Sequence, residues 1–471
     1  MLKKILIANR GEIAVRIIRA CAELNIRSVA IYTEPDRFAL HVKRADEAYN
    51  VGDDPLAGYL NAHRIVNLAV ETGCDALHPG YGFLSENPEL AAICAQRGIT
   101  FIGPSAEVIA RMGDKTEARR AMIAAGVPCT PGTEGNLESL EEAIRFAKKI
   151  GYPVMLKATS GGGGRGIRRC NSEEELRRNY DRVISEATKA FGKAEVFMEK
   201  CIVNPRHIEA QILADSHGNT IHLFERDCSI QRRNQKLVEI APSPQLTPEQ
   251  RAYIGELAVR AAQAVNYVNA GTVEFLLAEN QVYFMEMNTR VQVEHTITEQ
   301  ITGVDIVREQ IRIAAGLPLG YRQQDISYRG YALQFRINAE DPKNDFLPSF
   351  GRISRYYAPG GPGVRVDTAI YTGYTIPPYF DSMCLKLIVW GLTWEEALNR
   401  GTRALNDMRL QGVKTTATYY QQILAHPDFR RGEFDTGFVE MHPELMQYSE
   451  KSRPDEVALA IAVAIAAHAG L

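Results

Sequence analysis

Ile5-Leu6-Ile7-Ala8-Asn9-Arg10-Gly11-Glu12-Ile13-Ala14-Val15-Arg16-Ile17-Ile18-Arg19-Ala20-Cys21 carries two periodicities in succession. Four apolar residues in a row fit a short buried strand, Asn9-Arg10-Gly11 a turn, and Ile13, Val15, Ile17, Ile18 and Cys21 recur at roughly helical spacing. A second strand is expected at Ser28–Tyr32 and a third at Ala76-Leu77-His78, ahead of the glycine-rich loop Pro79–Asn87. Phe101-Ile102-Gly103-Pro104 ends one more. Strands alternating with helices imply an α/β unit with a doubly wound parallel sheet, expected over residues 1–113.

A second unit is expected over 114–201, with a lid-like core at about 131–201 after the turn-rich Val127–Gly132. It holds a helix at about 137–150, the strand Val154–Lys157, the run Ser160-Gly161-Gly162-Gly163-Gly164-Arg165-Gly166, a charged helix at about 172–189 and a strand at Glu195–Glu199. An α+β unit follows over 202–446. In it Ile208–Asp215 alternates, Thr272–Leu277 and Val282–Met287 flank the hairpin signal Glu279-Asn280, and helices fall at about 248–265, 304–315, 394–411 and 414–425. The tail, 447–471, reads as a helix capped by Ser452, with Pro454, Asp455 and Glu456 in its first turn and Gly470 at its end.

The chain has 471 residues, 45% hydrophobic and 24% charged, with net charge −3. This balance fits a globular protein of about three domains and points to neither nucleic acid nor a membrane surface as partner. Cys21, Cys74, Cys94, Cys129, Cys170, Cys201, Cys228 and Cys384 form no CxxC pair, which fits a reducing cytoplasm better than a disulfide or zinc framework. The N-terminal apolar run is too short for a signal peptide. The longest, Val457–Ala467, is well below the ~20 residues that span a bilayer.

Four features bear on chemistry. The glycine run offers amides that converge on phosphate, but lacks the Lys-Ser/Thr of a Walker loop and reads equally as a surface loop. Lys157, ending an apolar strand before it, favours the phosphate reading. In Val282–His295, an extended backbone puts Glu286, Asn288, Arg290, Gln292 and Glu294 on one face. A hairpin loop centred on Asn280 sets Glu274 opposite Glu286, and two facing carboxylates beside an amide suit Mg²⁺; the alternative is a solvated edge face. Glu225–Lys236 carries Arg226, Arg232, Arg233 and Lys236, either an anion site or a solvated loop. His207 and Lys115 are left open between phosphate contacts and structural or solvated side chains.

Several strings, in order, resemble the biotin carboxylases of the ATP-grasp superfamily over residues 2 to about 445: Ile7–Ala14, His78–Asn87, Met112–Lys115, the glycine run, Asn204–Glu209, Glu286–His295 and Arg336–Glu340. The resemblance implies an ATP-grasp fold with a glycine-rich lid, and ATP- and bicarbonate-dependent carboxylation of biotin through carboxyphosphate. Lys115, Lys157, Gly163, Gly164, His207 and Gln231 match nucleotide contacts, and Glu199, Lys200, Cys201 and Ile202 match the segment that holds adenine. Asn234 falls among the nucleotide residues, where many members have His. Glu274, Glu286 and Asn288 match ligands of Mg²⁺ or Mn²⁺; Lys236, Arg290, Gln292 and Val293 match the bicarbonate pocket. Glu294 matches the general base, and Tyr81 and Arg336 the biotin side, so that Lys236, Arg290, Glu294 and Arg336 form the expected catalytic set. Arg19 and Glu23 match a homodimer interface on the first helix. Asn234, Ser160 in place of a first glycine, Ile297 and the long tail resemble the separate biotin carboxylase subunit of two-subunit pyruvate carboxylases. The component of acetyl-CoA carboxylase, another 2-oxo-acid carboxylase, a different ATP-grasp ligase and an inactive nucleotide-binding scaffold are the alternatives. No Met-Lys-Met string occurs, so a partner carrying biotin and a carboxyltransferase is expected.

Overall fold

A computed structural model describes residues 2–133, 135–158, 167–191, 195–448 and 454–469. The glycine run, with Gly163 and Gly164, lies outside the described residues, as do Ser452 and Gly470.

The opening segment folds as its periodicity requires. Strand β1 (Lys4–Ile7) leads into the helix Gly11–Glu23, then β2 (Arg27–Thr33), β3 (Glu47–Gly52), β4 (Ala76–His78) and β5 (Thr100–Phe101). They form a parallel sheet in the order β3-β2-β1-β4-β5. Ile5 and Ile7 enter the apolar layer on one face, Leu6 and Ala8 that on the other. Both faces are covered, as a parallel sheet demands.

A three-stranded antiparallel sheet follows, β6 (Val154–Ala158) between β7 (Ile167–Cys170) and β8 (Val196–Lys200), covered by the helices Leu140–Ile150 and Glu173–Phe191. The chain entering it bridges to the later sheet at Cys129 and Phe284.

The remainder is built on one antiparallel sheet. Strands β9 (Arg206–Ala214), β10 (Thr220–Arg232), β11 (Gln235–Ala241), β12 (Asn269–Ala278), β13 (Gln281–Asn288) and β14 (Tyr331–Asn338) join Met383–Gly391 and Val364–Thr368 in eight strands, ordered β13-β12-β9-β10-β11-β14 and then those two. The helix Pro248–Ala264, opened by a Thr247/Gln250 capping box, packs across β10, β9 and β12. Strand β9 alternates as expected, Ile208, Ala210 and Ile212 entering the core, but its exposure does not: almost all its residues are buried, because its polar face lines the cleft described below. The helix expected at 394–411 stops at Asp407; Arg409–Gln411 instead pairs with Arg355–Tyr357. The tail is helical over Pro454–His468, with Ile461, Val463 and Ile465 exposed.

Candidate active site

Strand register builds the centre. Glu274 on β12 lies opposite Glu286 on β13, as expected, though by a different route. The loop is the two-residue Glu279-Asn280, both with positive φ, and pairs next to it are one residue out of step with the expected register. A bulge between Phe284 and Glu286 takes up the difference. Strand β13 then ends at Asn288, and a turn rather than further strand delivers Arg290, Gln292 and Glu294; Glu294 precedes the helix His295–Thr302.

Lys236 Nζ lies 2.6 Å from Glu209 Oε2, 3.0 Å from Glu274 Oε1 and 2.7 Å from Glu294 Oε1. Burial opposes its charge, but these three carboxylates hold its pKa well above the usual lysine value. Burial likewise works to raise Glu294, yet Lys236 and Arg336 win and hold its pKa below the carboxylate range. Arg336 Nη2 donates to Glu294 Oε2 at 3.1 Å, and its Nε donates to buried Glu239. Glu274 accepts from Asn288 Nδ2 (2.9 Å) and Gln292 Nε2 (2.6 Å), and His207 Nε2 sits 2.8 Å from its other oxygen. Arg290 Nη2 donates to Asn288 Oδ1 at 2.9 Å, and its Nε to Glu86 at 2.9 Å.

Glu286 keeps an open face to solvent, yet desolvation and the facing Glu274 raise its pKa. That repulsion is what a cation would relieve, and Glu274, Glu286 and the Asn288 amide oxygen are the hard donors Mg²⁺ prefers. On the lid side Lys157 pairs with Glu199, and Lys115 occupies the first turn of a helix capped by Asp114. Burial lowers the pKa of Lys115, with Glu286 pulling it back and Lys157 adding to the fall. Gln231 pairs with Lys236 across β10 and β11. Buried Cys201 and half-buried Ile202 follow β8.

Some expected residues stand apart. Lys200 turns its ammonium to the Gly151 and Tyr152 carbonyls, both at 3.0 Å. Asn234 sits at the exposed tip of the β10–β11 turn. The four cations of Glu225–Lys236 do not form one patch: Arg232 and Arg233 pair with Asp345, while Arg226 is fully buried. Tyr81 donates to Glu12, which pairs with buried Lys386 at 3.1 Å; Lys386 in turn donates to the Val293 carbonyl at 2.9 Å. Arg19 and Glu23 are exposed on the first helix.

Sequence reasoning missed the parts that Glu86, Glu209, Glu239 and Lys386 play, and read Arg226 only as one of four cations. Glu209 and Gln211, polar at alternate positions of the otherwise apolar run Ile208–Ala214, were the available signal.

Residues 1–109 match the biotin carboxylase N-terminal domain, 114–322 the ATP-binding domain of the carbamoyl-phosphate synthase L chain, and 334–441 the biotin carboxylase C-terminal domain. The 2-oxoglutarate carboxylase small subunit of Hydrogenobacter thermophilus is 57% identical, over 100% of both chains. A pyruvate carboxylase subunit of Methanothermobacter thermautotrophicus is 53% identical, over 93% of this chain and 90% of its own. A crystal structure of the H. thermophilus biotin carboxylase domain dimer with MgADP, ADP and bicarbonate superposes with a TM-score of 0.93, at 58% identity, over 96% of this chain and 100% of that one. With three domain models in order and full-length relatives above half identity, the chain belongs to the biotin carboxylase family, on the ATP-grasp fold.

Proposed function

We propose that this chain carboxylates biotin, borne by a partner carrier protein, with ATP and bicarbonate, as the biotin carboxylase subunit of a 2-oxo-acid carboxylase. The observation that carries the reading is Glu294, buried and held ionised between Lys236 and Arg336 at the end of the Glu274–Glu286 cleft.

Bicarbonate enters between Lys236 and Arg290, whose charges hold its oxygens, with Gln292 and Val293 closing the pocket. Glu294 takes its proton. The freed oxygen attacks the γ-phosphorus of ATP; the new P–O bond forms as the bond to the β-phosphate oxygen breaks, and ADP leaves. Glu274, Glu286 and Asn288 would hold Mg²⁺ or Mn²⁺, which supplies neutralising charge to the phosphoryl oxygens. Lys115, Lys157, His207, Gln231, Asn234, the 199–202 segment, Gly163 and Gly164 serve the nucleotide. Carboxyphosphate splits to CO₂ and phosphate. Phosphate takes the N1′ proton of biotin, Arg336 stabilises the resulting ureido oxyanion beside Tyr81, and N1′ bonds to CO₂.

We divide the chain at 1–113, 114–201, 202–446 and 447–471, and take it to act as a homodimer through the face bearing Arg19 and Glu23, as the H. thermophilus domain is a dimer. Eight free cysteines, seven of them buried, support the cytoplasm as its compartment; no helix among the described residues is long and apolar enough to cross a membrane. Pyruvate is our first acceptor, supported by the M. thermautotrophicus relative. 2-Oxoglutarate is the second, favoured by a relative that matches the chain through its tail.

ADP release should require bicarbonate and rise with free biotin, and Glu294→Ala should lower it by roughly 10²–10⁴-fold. ADP release indifferent to bicarbonate, or full activity in Glu294→Ala, would overturn the reading.

A further inference from the structure

Away from the cleft, His426, Asp428 and His442 bring three ligand atoms within 4.8 Å of one another. Asp428 Oδ2 lies 3.6 Å from His442 Nε2 and 3.9 Å from His426 Nδ1. Around an ion with bonds of about 2.1 Å, tetrahedral neighbours stand roughly 3.4 Å apart, so the two separations from Asp428 need only a small contraction, with the third already inside 4.8 Å.

The tautomers are set for ligation. Glu444 sits behind both rings: its Oε1 is 2.8 Å from His442 Nδ1 and 3.4 Å from His426 Nε2. A carboxylate there draws the ring protons to those nitrogens and leaves His442 Nε2 and His426 Nδ1 as lone pairs facing Asp428. His426 Nδ1 takes the Asp428 backbone N–H at 3.3 Å, which fixes the same tautomer; an ion at Nδ1 takes the place of that capping hydrogen bond. The rings are positioned by each other, with centroids 4.1 Å apart, and by Phe438, and their side chains are only 14% and 20% exposed. Pro427 fixes the backbone between the first two ligands. Asp428 and His442 line a cavity of about 640 Å³ that gives an ion a way in.

We infer that His426, Asp428 and His442 bind a divalent transition ion of the Zn²⁺ class, with Glu444 as the carboxylate behind both imidazoles. Two nitrogens and one oxygen favour Zn²⁺, Co²⁺ or Ni²⁺ over Mg²⁺. The ion staples the helix Pro427–Arg431 to the segment that follows Phe438–Met441. The Gly432 and Phe434 carbonyls in between hold Arg206, the residue before His207. Arg431, paired with the other oxygen of Asp428, competes with it.

The test is a Co²⁺ titration of the full chain, stripped with chelator and free of nucleotide, followed by visible absorption and Zn²⁺ displacement. The nitrogen-ligated d–d bands should saturate at one equivalent, whatever the cleft carboxylates take up, and stay unchanged in Glu286→Gln, which alters the ATP cleft. His442→Gln should abolish those bands, Glu444→Gln should weaken binding about 10–100-fold, and Arg431→Gln should tighten it several-fold. Absence of the bands in the unaltered chain, or equal binding in His442→Gln, would overturn the inference. Should His442→Gln fail to fold, unchanged affinity in both Glu444→Gln and Arg431→Gln overturns it.

Discussion

Lys236 is one ammonium shared by three carboxylates, two of them with depressed pKa values. A carboxylate lowered in the fold contributes stability that is complete above its unfolded pKa of about 4.3 and is lost as pH falls towards the folded value. The contribution of these two carboxylates should therefore hold from neutral pH to about 4.5 and drop below it, whereas His41, His78, His222 and His295, kept neutral by burial, cost stability as pH falls through about 6.5. Lys236→Met leaves Glu209, Glu274 and Glu294 buried together, at a cost of roughly 3–5 kcal/mol at pH 7. With repulsion now raising their pKa values, the variant should gain relative to the unaltered chain on acidification. Urea unfolding from pH 4 to 8 checks this; parallel curves would refute it. At this scale the sequence was partly legible. Glu274, Glu286 and Asn288 follow from strand periodicity and a hairpin. Glu209 does not, because alternation assigns one face of β9 to solvent, whereas both are buried.

Two tight turns carry much of the site's register. Arg233-Asn234 and Glu279-Asn280 both have positive φ at each central residue, the form that matches strand twist and favours Asn and Gly. This accounts for Asn234 on conformational grounds, apart from any nucleotide contact. Glu279 is the strained member, since a Cβ in the left-handed region costs about 1–2 kcal/mol. Glu279→Gly should raise the unfolding free energy, by up to about 1 kcal/mol once glycine's greater unfolded freedom is counted. A lower denaturation midpoint would contradict it. Bulges leave little local trace in a sequence, which is why the expected register reached Glu274–Glu286 but missed the step at Met285. The helix expected at 394–411 forms but ends early, at Asp407, for a related reason: Arg409–Gln411 is claimed by a distant strand, and Gly412, with φ at +103°, turns where the Arg352 carbonyl leaves no room for a Cβ.

Across the molecule, the parallel sheet was legible because each of its steps is local, strand to helix to next strand. Closure of the eight-stranded sheet was not, since β11 meets β14 across about a hundred residues with no short-range signal. Long-range ties then fix the parts. Glu12, on the first helix, pairs with Lys386, which also holds the Val293 carbonyl. Lys386→Met should destabilise the chain by roughly 3–5 kcal/mol, and Glu12→Gln with Lys386→Met should recover much of that, because the second change removes the stranded charge. Additive losses in a denaturant double-mutant cycle would rule out the coupling. Buried Arg226 stands at the centre of these ties: its five N–H groups reach Glu209, Gln211, Thr298, Thr272 and Gln292. In heavy water, such hydrogens have no local route to solvent. They trade isotope when the strands around them part, so this guanidinium keeps time for the opening of the whole sheet.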